Sequence, residues 1–188
     1  MAIQTFKCVI AVAFLSLSTL KSGQATDLNV DFVANVLETT CNISLEQDGN
    51  ININNDGMDN YSLKIPDVRL EKVINADVAA QADFKLVATG CSANVMKITT
   101  RIFGSSISGA LINNEATGDA ASHIGMGFKR RNSEDSAFIL PNNSDAIQWS
   151  ADEMSNGLPM TVALRETTAG AGTIGSFRAK ATFNFTYE

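Results

Sequence analysis

The segment from Gly175 to Glu188 alternates without interruption. Phe177, Ala179, Ala181, Phe183, Phe185 and Tyr187 take one set of alternate positions, and Ser176, Arg178, Lys180, Thr182, Asn184, Thr186 and Glu188 take the other. A period of two marks a strand with one buried face. A terminal segment is ordinarily frayed and polar, so a strand that carries aromatics to its final positions has to be held by something. We expect it to be a docking element, and any fold for this chain must supply its partner.

The opposite end describes the setting. Lys7 precedes an apolar run from Cys8 to Leu20, followed by Gly23-Gln24-Ala25. This is the order of a charged n-region, a short h-region and a small-residue cleavage site. The run is only about 13 residues, against the roughly 20 that a spanning helix needs. Residues 1–25 are therefore expected to be a cleaved secretory signal, with Thr26 opening an exported product. Cys8 leaves with the signal, so Cys41 and Cys91 remain as an even pair in an oxidising compartment, with one possible bridge. Closing a loop of about 50 residues is worth roughly 4 kcal/mol in the chain-entropy model.

Without Lys7 and Lys21 the chain keeps 12 basic residues against 20 acidic ones, a net charge near −8. That balance opposes nucleic acid and anionic membrane surfaces as partners, since both call for a basic patch. Short segments rich in Val, Ile, Phe and Thr recur between Asn, Asp and Gly clusters, which points to one all-β domain. Strands are expected at Leu28 to Leu37, Cys41 to Leu45, Phe84 to Thr89, Val95 to Phe103 and Ile124 to Phe128. Further ones are expected at Ala137 to Leu140, Ala146 to Trp149, Met160 to Glu166 and Ser176 to Glu188. Asn50 to Asn60 reads as a solvated hairpin or loop, and Pro66 to Ala82 leaves room for one short helix. Spacings of this kind suggest a sandwich.

Motifs for chemistry are weak. Gly170-Ala-Gly172-Thr-Ile-Gly175 matches the dinucleotide fingerprint as a string, but a strand follows it where a helix is required. His123 is the only histidine, which leaves Cys41 and Cys91 without the company a metal site needs. Nucleophile elbows of the Gly-x-Ser-x-Gly kind do not occur. Adjacent carboxylates such as Asp152 and Glu153 would point to opposite faces of a strand. The reading is non-enzymatic, without cofactor or metal.

After the cleavage site, Leu28, Val30, Phe32 and Ala34 alternate with Asn29, Asp31 and Val33, so the exported chain also begins with a one-faced strand. Such a strand can pair within its own domain or with a neighbour. Gly175 lies fourteen places from the C-terminus, Tyr187 is penultimate, and Ala181-Thr-Phe183-x-x-x-Tyr187 shapes the final strand. Phe84-x-Leu86-x-x-x-Gly90-Cys91 leads into the second cysteine. Taken together, these features resemble the subunits of chaperone–usher fimbriae, the type 1 and P pilus family, over essentially all of residues 26–188.

The resemblance implies an incomplete immunoglobulin-like sandwich lacking its final strand, with residues 26–36 as an N-terminal donor-strand extension and 37–188 as the pilin domain. A hydrophobic groove would lie beside the last strand. A periplasmic chaperone would fill it first, pairing along Gly175, Phe177, Phe183, Phe185 and Tyr187 and gripping the Glu188 carboxylate. At an outer-membrane usher, the extension of a neighbouring subunit, carrying Leu28, Val30, Phe32 and Ala34, would replace the chaperone. Main-chain hydrogen bonds supply affinity in such strand addition, and alternating side chains supply register. The product would be a fimbrium at the cell surface that supports adhesion, with a host receptor for the fibre as a further partner. The short extension favours a minor or linker subunit over a rod subunit. One departure stands out: the family usually carries glycine where this chain has Ala34.

A different class is also open. If the terminal strands pair within one complete sandwich, the chain is a free-standing secreted binding module, for instance for carbohydrate, with Trp149 as the one tryptophan available to an aromatic platform.

Overall fold

The structure is a computed structural model that describes residues 41–49, 51–142 and 145–188 in full and the backbone of residues 26–36. The expected signal, residues 1–25, lies outside the described residues.

The chain runs through strands β1 (Thr26–Val36), β2 (Asn42–Gln47), β3 (Asn52–Gly57) and β4 (Asn60–Val68) to a short helix, α1 (Leu70–Ile74). Strands β5 (Gln81–Thr89), β6 (Ile98–Gly104), β7 (Ile107–Ser108), β8 (Leu111–Asn113), β9 (Ile124–Arg130) and β10 (Ile147–Gln148) follow. A second helix, α2 (Ala151–Asn156), then leads to β11 (Leu158–Glu166) and β12 (Phe177–Tyr187). Two six-stranded sheets result, ordered β10-β6-β12-β1-β4-β3 and β2-β5-β11-β9-β8-β7.

The sheets pack face to face because their strands alternate. In β12 the odd-numbered positions Phe177 to Phe185 are buried, and in β5 Ala82, Phe84 and Leu86 are buried. Phe183 on one sheet meets Phe84 and Phe128 on the other edge-to-face, with ring centroids 6.3 and 5.2 Å apart. Each such aromatic pair adds about 0.5–1.5 kcal/mol beyond area burial. Trp149 is buried, stacks edgewise on Phe185 and donates its indole N–H to Thr100 Oγ1 at 2.8 Å. It belongs to the core and not to an exposed aromatic platform.

Strand β11 is buried on both faces, which simple alternation does not predict. The outer face of its neighbour β9 is covered by the segment after β9, whose Phe138 ring lies so close to Gly127 that a Cβ there would come within 2.8 Å of it. Beneath this cover Asp135 accepts hydrogen bonds from the buried Lys129 and Arg165 side chains. Burial works to raise the Asp135 carboxyl, but its bonds to Arg165 and Lys129 outweigh that and hold it below the usual carboxylate range. The expected strand at Ala137 to Leu140 is therefore not a strand. Asp135–Ala137 forms a 3-10 turn and the residues after it pack across β9, with Ile139 N–H donating to the Phe128 carbonyl.

Helix α1 falls inside the stretch where one short helix is expected. Within the expected loop or hairpin, the Asn- and Asp-rich stretch from Asn52 does form a hairpin, turning at Met58 and Asp59 with positive φ, but its strands extend further than anticipated, to Val68. Helix α2 starts on a capping box: Ser150 accepts from Glu153 N–H, and the Glu153 side chain accepts from Ser150 N–H.

Cys41 and Cys91 are bonded, joining the residue before β2 to the segment after β5. Replacing Cys91 with Ser should lower stability by about 2–4 kcal/mol, checked by equilibrium denaturant unfolding with the slope fitted freely, since the unbridged unfolded chain exposes more surface.

Candidate functional site

The site is a slot in the first sheet. Strand β1 lies between β12 and β4, running parallel to β12 and antiparallel to β4. Among the described residues it is the only element that joins those two strands. Neighbouring strands lie about 4.8 Å apart, so without β1 the edges of β12 and β4 would face each other across roughly 10 Å, too far to hydrogen-bond. The sheet would split into β10-β6-β12 and β4-β3, with two unpaired edges lining a groove one strand wide.

The walls of that groove are apolar. Along β12 stand Phe177, Ala179, Ala181, Phe183 and Phe185, and along β4 stand Tyr61, Leu63 and Ile65, all buried. The four expected donor positions fall in register with them. Leu28 lies opposite Phe177 and Ile65, and Val30 opposite Ala179 and Leu63. Phe32 lies opposite Ala181 and Tyr61, and Ala34 opposite Phe183. Directly paired residues share a sheet face, so these positions belong to the face that the rest of the sheet turns inward. The wall on β4 was missed by sequence reasoning. Tyr61, Leu63 and Ile65 alternate with Ser62 and Lys64, a signal that Pro66 and the Asn-rich approach obscured.

Both ends of β12 are anchored. At its start Gly175 has φ of 152° and touches the backbone of residues 119–121, where an added Cβ would come within 2.4 Å of Ala121 N. Ser176 forms a parallel bridge with Ala120, donates to the Asp119 carbonyl and accepts from Ala121 N–H. The glycines of the fingerprint-like string thus shape a turn into a strand. At the other end the Glu188 backbone carbonyl accepts from Met96 and Lys97 N–H at 2.6 and 2.9 Å, and Lys97 Nζ meets the Glu188 carboxylate at 2.7 Å. Beside this clasp, burial pushes the Tyr187 phenol up to about 12, and its hydroxyl finds no hydrogen-bond partner among the described residues.

Residues 30–188 match the model of a protein family described as "Fimbrial protein". The chain is 53% identical over 171 residues to an uncharacterized fimbrial-like protein, YadM, of Escherichia coli strain K12, covering 87% of this chain and 88% of that one. The P pilus rod subunit PapA is similar in structure, with a TM-score of 0.49 at 15% identity over 75% of this chain and 94% of PapA.

Two substitutions test the anchors. Gly175→Ala combines a backbone clash with a φ that L-residues avoid, and should destabilise the fold by about 2–4 kcal/mol in equilibrium unfolding. Tyr187 keeps its proton in the folded chain after an unfolded chain would lose it near pH 10. Its contribution is therefore complete below pH 10 and is lost as pH rises toward about 12. Tyr187→Phe should flatten the alkaline loss of stability across that window, read as the difference from wild type.

Proposed function

On the premise that this chain belongs to the fimbrial protein family, we propose that it is a structural subunit of a chaperone–usher fimbria, polymerising by donor-strand exchange. The single observation that supports this best is the slot. One strand, drawn from the N-terminal extension, is all that holds β12 and β4 in one sheet, so the same position is open to a strand from elsewhere.

In the proposed pathway the chain reaches the periplasm, where a chaperone strand fills the slot and engages the Glu188 carboxylate that Lys97 holds in the free chain. At the usher the extension of the next subunit takes the slot over. Each apolar side chain that such a strand buries contributes about 1.5–3 kcal/mol, and the ladder bonds satisfy two otherwise exposed edges. The fibre then stands on the cell surface and supports adhesion. Within it the chain fits a minor or linker position, because its extension is short.

A sheet completed by the chain's own strand is also what a free-standing secreted binding module would show. The two readings part on whether the strand is exchangeable. Phe32→Asp, at the centre of the extension, should leave chaperone capture intact and remove the subunit from fibres when chaperone and usher are co-expressed. The check is the fraction of subunit in high-molecular-mass material that resists mild detergent. Normal incorporation of the variant would overturn the donor assignment.

A further inference from the structure

We infer that the free subunit is stored as a closed monomer with its own extension as a plug, and that the short connection behind the plug dictates its parallel direction. The plug is β1 itself, with Leu28 opposite Phe177 at one end and Val36 opposite Phe185 at the other. Behind it, only residues 37–40 precede Cys41, which the disulfide fixes to Cys91.

Cys41 belongs to the Tyr187 end of the sandwich. Strand β2 begins at Asn42 opposite Thr89, the last residue of β5. The chain leaving β5 reaches β6 at Ile98, opposite Tyr187, just after Lys97 has bonded Glu188. From Phe185 back to Phe177 the slot is about 26 Å long at roughly 3.3 Å per residue. The connection from Val36 to Cys41 reaches at most about 18 Å. A reversed extension would have to place Val36 near Phe177, beyond that reach. A strand from another molecule carries no such tether and is free to enter in either direction.

The same tether sets the competition. A short connection gives the plug an effective concentration in the millimolar range, about a thousandfold above a second subunit present at micromolar concentration. Because β12 and β4 run in opposite directions, a strand entering either way makes one parallel and one antiparallel ladder, so the tether gives the plug speed of closure and no advantage or handicap in ladder strength. The plug thereby covers an edge that would otherwise recruit other chains. The inference stands on the slot, and it rests on the fimbrial-subunit reading only for what displaces the plug.

Paired cysteines in the full exported chain test it. In the parallel register Asp31 pairs with Lys180 and Asn35 with Asn184, so Asp31→Cys with Lys180→Cys, and Asn35→Cys with Asn184→Cys, should cross-link within a monomer on mild oxidation. The crossed combinations, Asp31→Cys with Asn184→Cys and Asn35→Cys with Lys180→Cys, should give at least about tenfold less, because disulfides need Cα atoms within about 7 Å. Efficient crossed links would overturn the inference by showing antiparallel entry. Links that join two molecules, or no links in any variant, would overturn it by showing a slot that the chain does not fill itself. Failure of the fimbrial reading looks different: a chain that cross-links internally as expected yet never enters fibres alongside a chaperone and usher.

Discussion

Everything in this sandwich depends on a strand that must be paired on both edges and is paired on only one by the body of the domain. Strand β12 contributes Phe183 and Phe185 to the interior, where they meet Phe84, Phe128 and Trp149, and it hydrogen-bonds β6 along one side. Its other side belongs to β1. The hydrophobic layer and the hydrogen-bond ladder thus make separate demands on one strand. Packing fixes where β12 lies, and the ladder leaves a position that any strand of matching alternation satisfies.

Strand β12 is fixed independently of the strand beside it. Gly175 seats the start of the strand against residues 119–121, and Met96 and Lys97 hold its end through Glu188. Neither anchor involves β1. The Cys41–Cys91 bridge ties down the connection behind the extension without touching the slot. The outer face of the second sheet is closed separately, by Asp135 between Lys129 and Arg165 beneath the crossing segment. Stability is in this way distributed away from the seam that β1 closes.

Much of this was legible in the residues. The unbroken alternation of β12, the shorter alternation of β1 and the cysteine pair each carry a local physical signature, and each maps directly onto the slot or its supports. What escaped was set by tertiary context. Strand β4 alternates over Tyr61, Leu63 and Ile65, but Pro66 and the surrounding asparagines made the stretch look like a loop. Ala137 to Leu140 has strand-like composition, yet it packs across β9 over Gly127, an approach that no periodicity encodes. Helix α2 was also missed, with Asp152 and Glu153 read as strand residues, although Ser150 and Glu153 stand at capping-box spacing. The direction of β1 followed from a tether and a disulfide, which only a topology could bring together.

Along the slot, bulk on one strand meets smallness on the other: Phe32 stands opposite Ala181, and Ala34 opposite Phe183. An extension with a large residue at the Ala34 position would set bulk opposite one of the largest fully buried side chains in the domain, and a small residue at the Phe32 position would pair smallness with Ala181. Cores penalise both errors by a few kcal/mol. Offered strands from several chains, such a slot would sort them by steric volume, so that order among neighbours would be a matter of arithmetic rather than of a template.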